Sequence, residues 1–545
     1  MKVLIIGGVA GGATVAARLR RLDETVNIIL FERGEFISYA NCGLPYYVGG
    51  TIPRREDLLV MRTDTFVNRF SLDVRTFSEV TAIDPKRKMV TVTNRINGKV
   101  YNELYDKLVI TTGSDPIRPP LPGVDLDRIF TIRNIPDVDR IKSFISRNPV
   151  RSAVVVGGGF IGLEMVENLR EAGLEVALIE KANQVMAPID LPMARIVQKE
   201  LKAHGVKVLL ETGVANFRML GDELAVTLDN NQEVRADLAI LSIGVRPDAK
   251  LARDAGLAIG PLGGIKTDMY MQTSDPDIYA LGDVVEVLNP VTGKPALFPL
   301  AGPANKQARI VADNIYEGNH TAYSGTIGTS IAKVFGLAVA ATGASSKVLD
   351  REGIPHLTTM LQGKSHAGYY PGAQPLYIKI NFAPEDGRLL GAQVIGAEGA
   401  DKRIEMFSFI IKNGGSIYDL QEIEHAYAPP YSSAKDMVNM AGYVAENILK
   451  GRLKLISWDE LQQLNKSEIM LLDVRTVDEY NAGHLPGAVN IPLENLRRSM
   501  ANLPRNRKIV IYCAIGLRGY IAYRVLSQYG FSDLANLEGG HTFYD

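Results

Sequence analysis

Two sulfur atoms carry the reactive chemistry of this sequence. The chain has 545 residues and two cysteines, Cys42 in "SYANCGLPYY" and Cys513 in "CAIGLR". Cysteines so far apart argue against a disulfide scaffold and for a reducing compartment, where a retained thiol is either buried or reactive. Cys42 follows a glycine-rich strand-to-turn segment. A thiol placed there, near a helix N-terminus, is expected to have its thiolate stabilised. Cys513 opens a loop, Cys513 to Arg518, between a strand and a helix. Backbone N–H groups wrapped around that sulfur, with the Arg518 cation added, would stabilise a thiolate and a bound persulfide.

The elements that must position these sulfurs begin with a repeated pattern. "KVLIIGGVAGGATVAARLRRL" and, from Ser152, "SAVVVGGGFIGLEMVENLREAG" are each a short β-branched run, a glycine cluster and a helix-spaced segment. Each reads as strand, phosphate loop and helix. Each is followed by an apolar run ending in an acid, Glu32 and Glu180. A gap of a little over twenty residues puts that acid at the tip of the next parallel strand, within reach of a ribose hydroxyl. Gly157, Gly159 and Gly162 complete a GxGxxG. In the first copy Gly7 and Gly12 remain, but Val9 replaces the middle glycine. Glu180 favours NADH, because a carboxylate repels a 2′-phosphate. Lys181 beside it leaves NADPH open.

Two further pieces connect the copies. "LVITTGSDPIRPP" is a strand running into a glycine and proline turn that carries Thr112 and Gly113. "DIYALGDV" is a strand ending in Gly282 and Asp283, where an acid can bond a flavin ribityl chain. The length suggests roughly three or four domains. With 60 basic and 61 acidic residues the net charge is −1, so no global field draws the chain to nucleic acid or an anionic bilayer. The apolar run at the N-terminus is about five residues, too short for a signal peptide, and no run of about 18 follows. The expected location is the cytoplasm, without membrane or metal.

This order of two dinucleotide folds, exit strand and late Gly-Asp resembles the flavoprotein disulfide reductases. The resemblance implies an α/β fold class: two Rossmann-like dinucleotide-binding domains, an α+β dimerisation domain and a C-terminal α/β domain. FAD falls on 1–115 and 246–322, nicotinamide on 116–245, and a homodimer interface on 323–450. Most members use a CxxxxC pair, but the position five after Cys42 is Tyr47. The oxidised form is then a sulfenic acid or a mixed disulfide with a small thiol. "SYANCGLPYY" resembles the segment of coenzyme A disulfide reductases and NADH-dependent persulfide reductases. That resemblance implies coenzyme A held by Thr14, Arg18, Arg21, Ser38, Asn41, Asn305 and Lys435. A lysine that the family carries near Phe70 is not matched. It also gives Tyr369 and Tyr427 roles at the active site of the opposite subunit, where a phenol donates to a departing thiolate. Read without the resemblance, Arg18 and Arg21 are one solvated helix stripe. His425 is present, but the usual dyad position reads Tyr427 and no acid follows at the right spacing.

From residue 455 to 545 the pattern restarts. "MLLDVRTVDEYNAGHLPGAVNIPL" and the loop opened by Cys513 match the rhodanese family, whose resemblance implies sulfane sulfur transfer through Cys513 and Arg518. The expected activity is NADH-driven reduction of coenzyme A disulfide, coenzyme A persulfide or polysulfide through FAD and Cys42. An NADH oxidase or peroxidase cycling Cys42 through sulfenic acid, and a redox or sulfur sensor with negligible turnover, are the alternatives.

Overall fold

The computed structural model describes residues 1–543. The chain forms two compact units, Met1–Ala187 with Gln198–Gly328, and Pro188–Val197 with the chain from Thr329 onward.

The first unit holds both glycine repeats. Lys2–Ile6 is flanked by Asn27–Phe31 and Lys107–Ile110, with Ile278–Ala280 and Asp73–Arg75 outside them. All four pairings are parallel. Val3, Leu4 and Ile5 are fully buried, as continuous apolar runs must be in a parallel sheet covered on both faces. The register pairs Ile6 with both Phe31 and Ile110. Three strand ends therefore reach one edge, where Gly7 begins its turn. The second repeat builds the same device. Ser152–Val156 lies between Glu175–Ile179 and Leu238–Leu241, all parallel, and Val156 pairs with Ile179 and Leu241. Helices Ala10–Leu22 and Phe160–Glu171 follow the two turns.

In the second unit a five-stranded antiparallel sheet runs in the order Ser330–Val334, Leu337–Gly343, Leu389–Gly396, Pro375–Phe382, Leu357–Lys364. Its buried polar node is Lys379. The ammonium donates to Asp190 at 2.7 Å and to Asn381 at 3.1 Å, and Gln393 donates to the same Asp190 oxygen at 2.7 Å. Removing one partner of such a pair costs about 3–5 kcal/mol, because the other charge stays buried. The C-terminal sheet is parallel: Leu455–Ile456, Leu534–Leu537, Lys508–Tyr512, Ile469–Asp473, Val489–Asn490. Among the described residues no helix is long and apolar enough to cross a membrane.

Candidate functional site

The two glycine loops are closed by backbone. Gly7 has φ +102°, and a Cβ there would sit 2.4 Å from the Thr111 carbonyl oxygen; one on Gly12 would sit 1.9 Å from that of Gly7. Gly157 has φ +104°, and a Cβ on Gly162 would lie 1.9 Å from the Gly157 carbonyl oxygen. Gly159 differs: a Cβ there meets nothing within 4 Å. No contact within the fold therefore requires glycine there, and the position leaves space in which a pyrophosphate could approach the backbone. The strand-tip acids adopt matching poses. Glu32 accepts from the N–H of Gly8 at 2.9 Å and of Gly34 at 2.8 Å. Glu180 accepts from Gly158 at 2.7 Å and Ala182 at 2.8 Å. Both carboxylates are thus fixed at their loops.

Beside the first loop, the Thr112 hydroxyl donates to the Asp248 carbonyl at 2.7 Å. Gly113, with φ +74°, leaves room for the Arg133 guanidinium, whose Nε is buried without a hydrogen-bond partner. Gly282, at φ +80°, donates its N–H to Gln307 at 2.8 Å. Asp283 accepts from the Ser114 hydroxyl at 3.0 Å, and burial pushes its carboxyl up. An orphaned cationic donor, an acid at a strand end and a closed glycine loop fit a dinucleotide with its phosphates at Gly7 and its polyol at Asp283.

Cys42 lies in the turn Asn41–Gly43, which leads into the six-residue helix Leu44–Gly49. Its thiol is exposed. Contrary to the expected thiolate stabilisation, its pKa is raised, by partial desolvation first and then by the negative charges of Glu164 and Asp283. So short a helix carries little dipole to oppose them. Glu164 stands on the helix that follows the second glycine loop. Burial, then the neighbouring Glu167, push its carboxyl up to about 7 although the Tyr46 hydroxyl bonds to it. Sequence reasoning missed Glu164. Its signal was helical spacing from Gly157, but its meeting with Cys42 depends on the packing of Leu44–Gly49 against Phe160–Glu171.

Of the expected coenzyme A contacts, two meet directly. The Thr14 hydroxyl donates to the Asn305 side chain at 2.7 Å, across the packed helices Ala10–Leu22 and Ala301–Glu317. Arg18 is no free stripe residue, since its Nε donates to Asp313 at 2.8 Å. Arg21 is exposed and lies 5.9 Å from the Phe70 ring centroid. Ser38 holds φ +48° and donates its N–H to the Gly8 carbonyl at 2.9 Å, which ties the approach to Cys42 to the first glycine loop. Asn41 is exposed beside Cys42, and Lys435 is exposed in the second unit.

In that unit Tyr369 and Tyr427 come together, their hydroxyl oxygens 2.9 Å apart. The bond to Tyr427 raises the pKa of Tyr369, and either hydroxyl can donate. Both ring nitrogens of His425 are buried without a hydrogen-bond partner. Burial lowers its pKa, against Asp436 and with Lys402 and Arg403, and among the described residues no acid bonds to the ring.

The loop of Cys513 is held by its own backbone and by the turn that follows the last strand. Gly516, at φ +131°, donates its N–H to the sulfur at 3.0 Å. The turn Gly540–Phe543 grips the loop from below: His541 N–H donates to the Cys513 carbonyl at 2.9 Å, and Thr542 donates to Ala514 through N–H and hydroxyl at 3.0 and 2.9 Å. Arg518 is not solely a cation for the sulfur, as the sequence suggests. It is gripped by Glu479 through two bonds, of 2.6 and 2.7 Å. Glu479 is the acid of a capping box with Thr476. That box follows a turn fixed by the buried pair Asp473–Arg475.

A family model described as pyridine nucleotide-disulphide oxidoreductase matches residues 1–306, its dimerisation domain matches 329–438, and a rhodanese-like domain matches 457–543. The chain is 36% identical over 447 residues to the coenzyme A disulfide reductase of Staphylococcus haemolyticus, which covers 82% of this chain and 100% of that protein. It is similar to the crystal structure of reduced CoADR-RHD of Bacillus anthracis, at 47% identity and a TM-score of 0.97, covering 100% of this chain and 97% of the other. A NAD-dependent persulfide reductase from A. fulgidus matches at 36% identity and a TM-score of 0.94, with each chain covered completely. The chain belongs to the pyridine nucleotide-disulphide oxidoreductases, in their coenzyme A disulfide reductase group, and carries a C-terminal rhodanese-like domain.

Proposed function

We propose that this protein uses NADH to reduce coenzyme A disulfide, coenzyme A persulfide or polysulfide, while its C-terminal domain transfers sulfane sulfur. The family implies FAD and NAD(P)H; bound FAD supplies the transfer of an electron pair from nicotinamide to sulfur. We assign FAD to 1–115 and 246–322, nicotinamide to 116–245, dimerisation to 323–450 and sulfur transfer to 455–545. Gly7, Gly12, Glu32, Thr112, Gly113, Gly282 and Asp283 hold FAD. Gly157, Gly159, Gly162 and Glu180 hold NADH, with Glu180 selecting against a 2′-phosphate.

The reading rests on one observation: in the nucleotide-binding unit Cys42 is the only sulfur able to form a disulfide, and it is exposed. Its redox companion must come from outside the chain. The Cys42 thiolate attacks one sulfur of the substrate. A mixed disulfide forms, the substrate S–S bond breaks and the leaving thiolate takes a proton. Two electrons and a second proton then free Cys42 and the second thiol. With a persulfide the product is hydrosulfide. Thr14, Arg18, Arg21, Ser38, Asn41, Asn305 and Lys435 hold coenzyme A. Tyr427, steadied by Tyr369, donates to the leaving thiolate of the opposite subunit in a homodimer. Cys513 supplies or accepts sulfane sulfur, assisted by Arg518.

Intact-mass measurement of Cys42→Ser and parental protein, with NADH turnover on coenzyme A disulfide, tests this. A coenzyme A adduct removed by Cys42→Ser, with loss of turnover and retained flavin, is expected. Undiminished turnover in that variant overturns the assignment.

A further inference from the structure

Tyr369 and Tyr427 are exposed, Tyr369 by 75%, and stand on two separate irregular segments. An exposed phenol on a loop normally samples several rotamers, so something else must set the 2.9 Å contact between the hydroxyls. The segments are joined beneath the surface at one ionic node. Arg403, 1% exposed on the helix Ala400–Lys412, grips Asp436 with its Nε at 3.2 Å and Nη2 at 2.7 Å. The same Nη2 donates to the Ser365 carbonyl at 2.8 Å, at the root of the Tyr369 segment. The Ser432 hydroxyl donates to Asp436 at 2.7 Å, at the root of the Tyr427 segment. Ala367 N–H closes the circle on the Ser432 carbonyl at 3.1 Å.

The node is buried, with Ser432 and Asp436 at 0 and 1% exposure. Burial alone would push the Asp436 carboxyl up, but the Arg403 fork and the Ser432 hydroxyl outweigh it and leave the pKa lowered. A single planar guanidinium satisfies two carboxylate oxygens and a carbonyl from the two segments at once, a geometry that a lysine cannot reproduce.

We infer that Arg403, Asp436 and Ser432 are positioning residues that fix the Tyr369–Tyr427 pair for proton delivery to sulfur. The inference rests on the tyrosine role proposed above. It adds that the buried node, absent from the reacting atoms, sets the rate through the tyrosines.

The test is a double-mutant cycle in the full-length flavoprotein. Ser432→Ala, Tyr427→Phe and their combination are assayed for NADH-driven reduction of coenzyme A disulfide. Photochemical coupling of tyrosines, with mass mapping of the linked peptides carrying Tyr369 and Tyr427, reports their proximity without turnover. Ser432→Ala should lower kcat roughly tenfold at unchanged KM for NADH, reduce the linked peptide severalfold, and cost nothing further once Tyr427 is Phe. Arg403→Lys should behave likewise where it folds; Ser432→Ala keeps every charge and carries the test where it does not. An unchanged linked-peptide yield in Ser432→Ala overturns the inference, as does an equal extra loss in the Tyr427→Phe background. If Tyr427→Phe alone keeps the parental rate, the proton-donor role fails instead, and the linked-peptide yield by itself decides the positioning.

Discussion

Arg518 and Glu479 meet fork to fork, at 2.6 and 2.7 Å, so the cation of the Cys513 loop already carries a carboxylate. Glu479 is itself rigid, because its carboxylate and its N–H both bond to Thr476. The Arg518 bond, above all else, lowers its carboxyl to about 2. It therefore stays ionised at any working pH. Both side chains are about one-third exposed, so the pair is worth about 1 kcal/mol rather than the larger value of a buried one. Glu479→Gln should slow thiosulfate sulfur transfer about fivefold, by loosening Arg518, and leave coenzyme A disulfide reduction unchanged. Equal or faster sulfur transfer would show that Arg518 needs no such anchor.

Cys42 and Glu164 should titrate against each other. Near pH 7, where Glu164 loses its proton, a negative charge appears opposite a thiol already raised by desolvation. The sign follows: below about pH 7 the acid is neutral and the thiol ionises more easily, above it the thiol is opposed. In a reduced Cys513→Ser background, the pH profile of Cys42 alkylation should be broad. Glu164→Gln should sharpen it and move it to lower pH, with severalfold faster alkylation at pH 7. Superimposable profiles would refute the coupling.

How much of this was legible depends on how local the physics is. The glycine loops could be read because backbone closure needs glycine at fixed spacing, and Gly12 and Gly162 close on the loops' own carbonyls. The capping box Thr476–Glu479 was equally open to reading. Its grip on Arg518 was not, since 39 residues separate them. Arg18 looked solvated because its partner, Asp313, lies 295 residues away. Glu164 went unseen for the same reason. Thr14 and Asn305 came from resemblance, and the packing of two helices supplies the physical reason they meet. At Cys42 the helix-terminal contribution is small in the chain's own field: a six-residue helix sets little dipole against two nearby acids and desolvation.

Tyr369 and Tyr427 should be unequal. Their hydroxyls share one hydrogen bond of 2.9 Å in which either can donate; if Tyr369 donates, the Tyr427 proton is free to point elsewhere. General acid catalysis contributes about a hundredfold or more. Tyr427→Phe should accordingly cut kcat for coenzyme A disulfide roughly a hundredfold, and Tyr369→Phe roughly tenfold, since it removes an orienting bond. Steady-state kinetics at saturating NADH measures both. The opposite ranking would assign the donor to Tyr369.

Gly159 and Gly162 separate ligand from fold within one loop. A methyl on Gly162 lands 1.9 Å from a backbone oxygen, which only backbone movement relieves, at about 1–3 kcal/mol. A methyl on Gly159 meets no protein atom within 4 Å, and its φ of −78° suits alanine. Gly162→Ala should therefore lower the melting temperature. Gly159→Ala should leave it unchanged, keep the flavin, and raise KM for NADH roughly tenfold by standing where the phosphates approach. Calorimetry and NADH titration of the two variants decide the matter. A Gly159→Ala enzyme that binds NADH normally would mean that the pyrophosphate does not come to this loop.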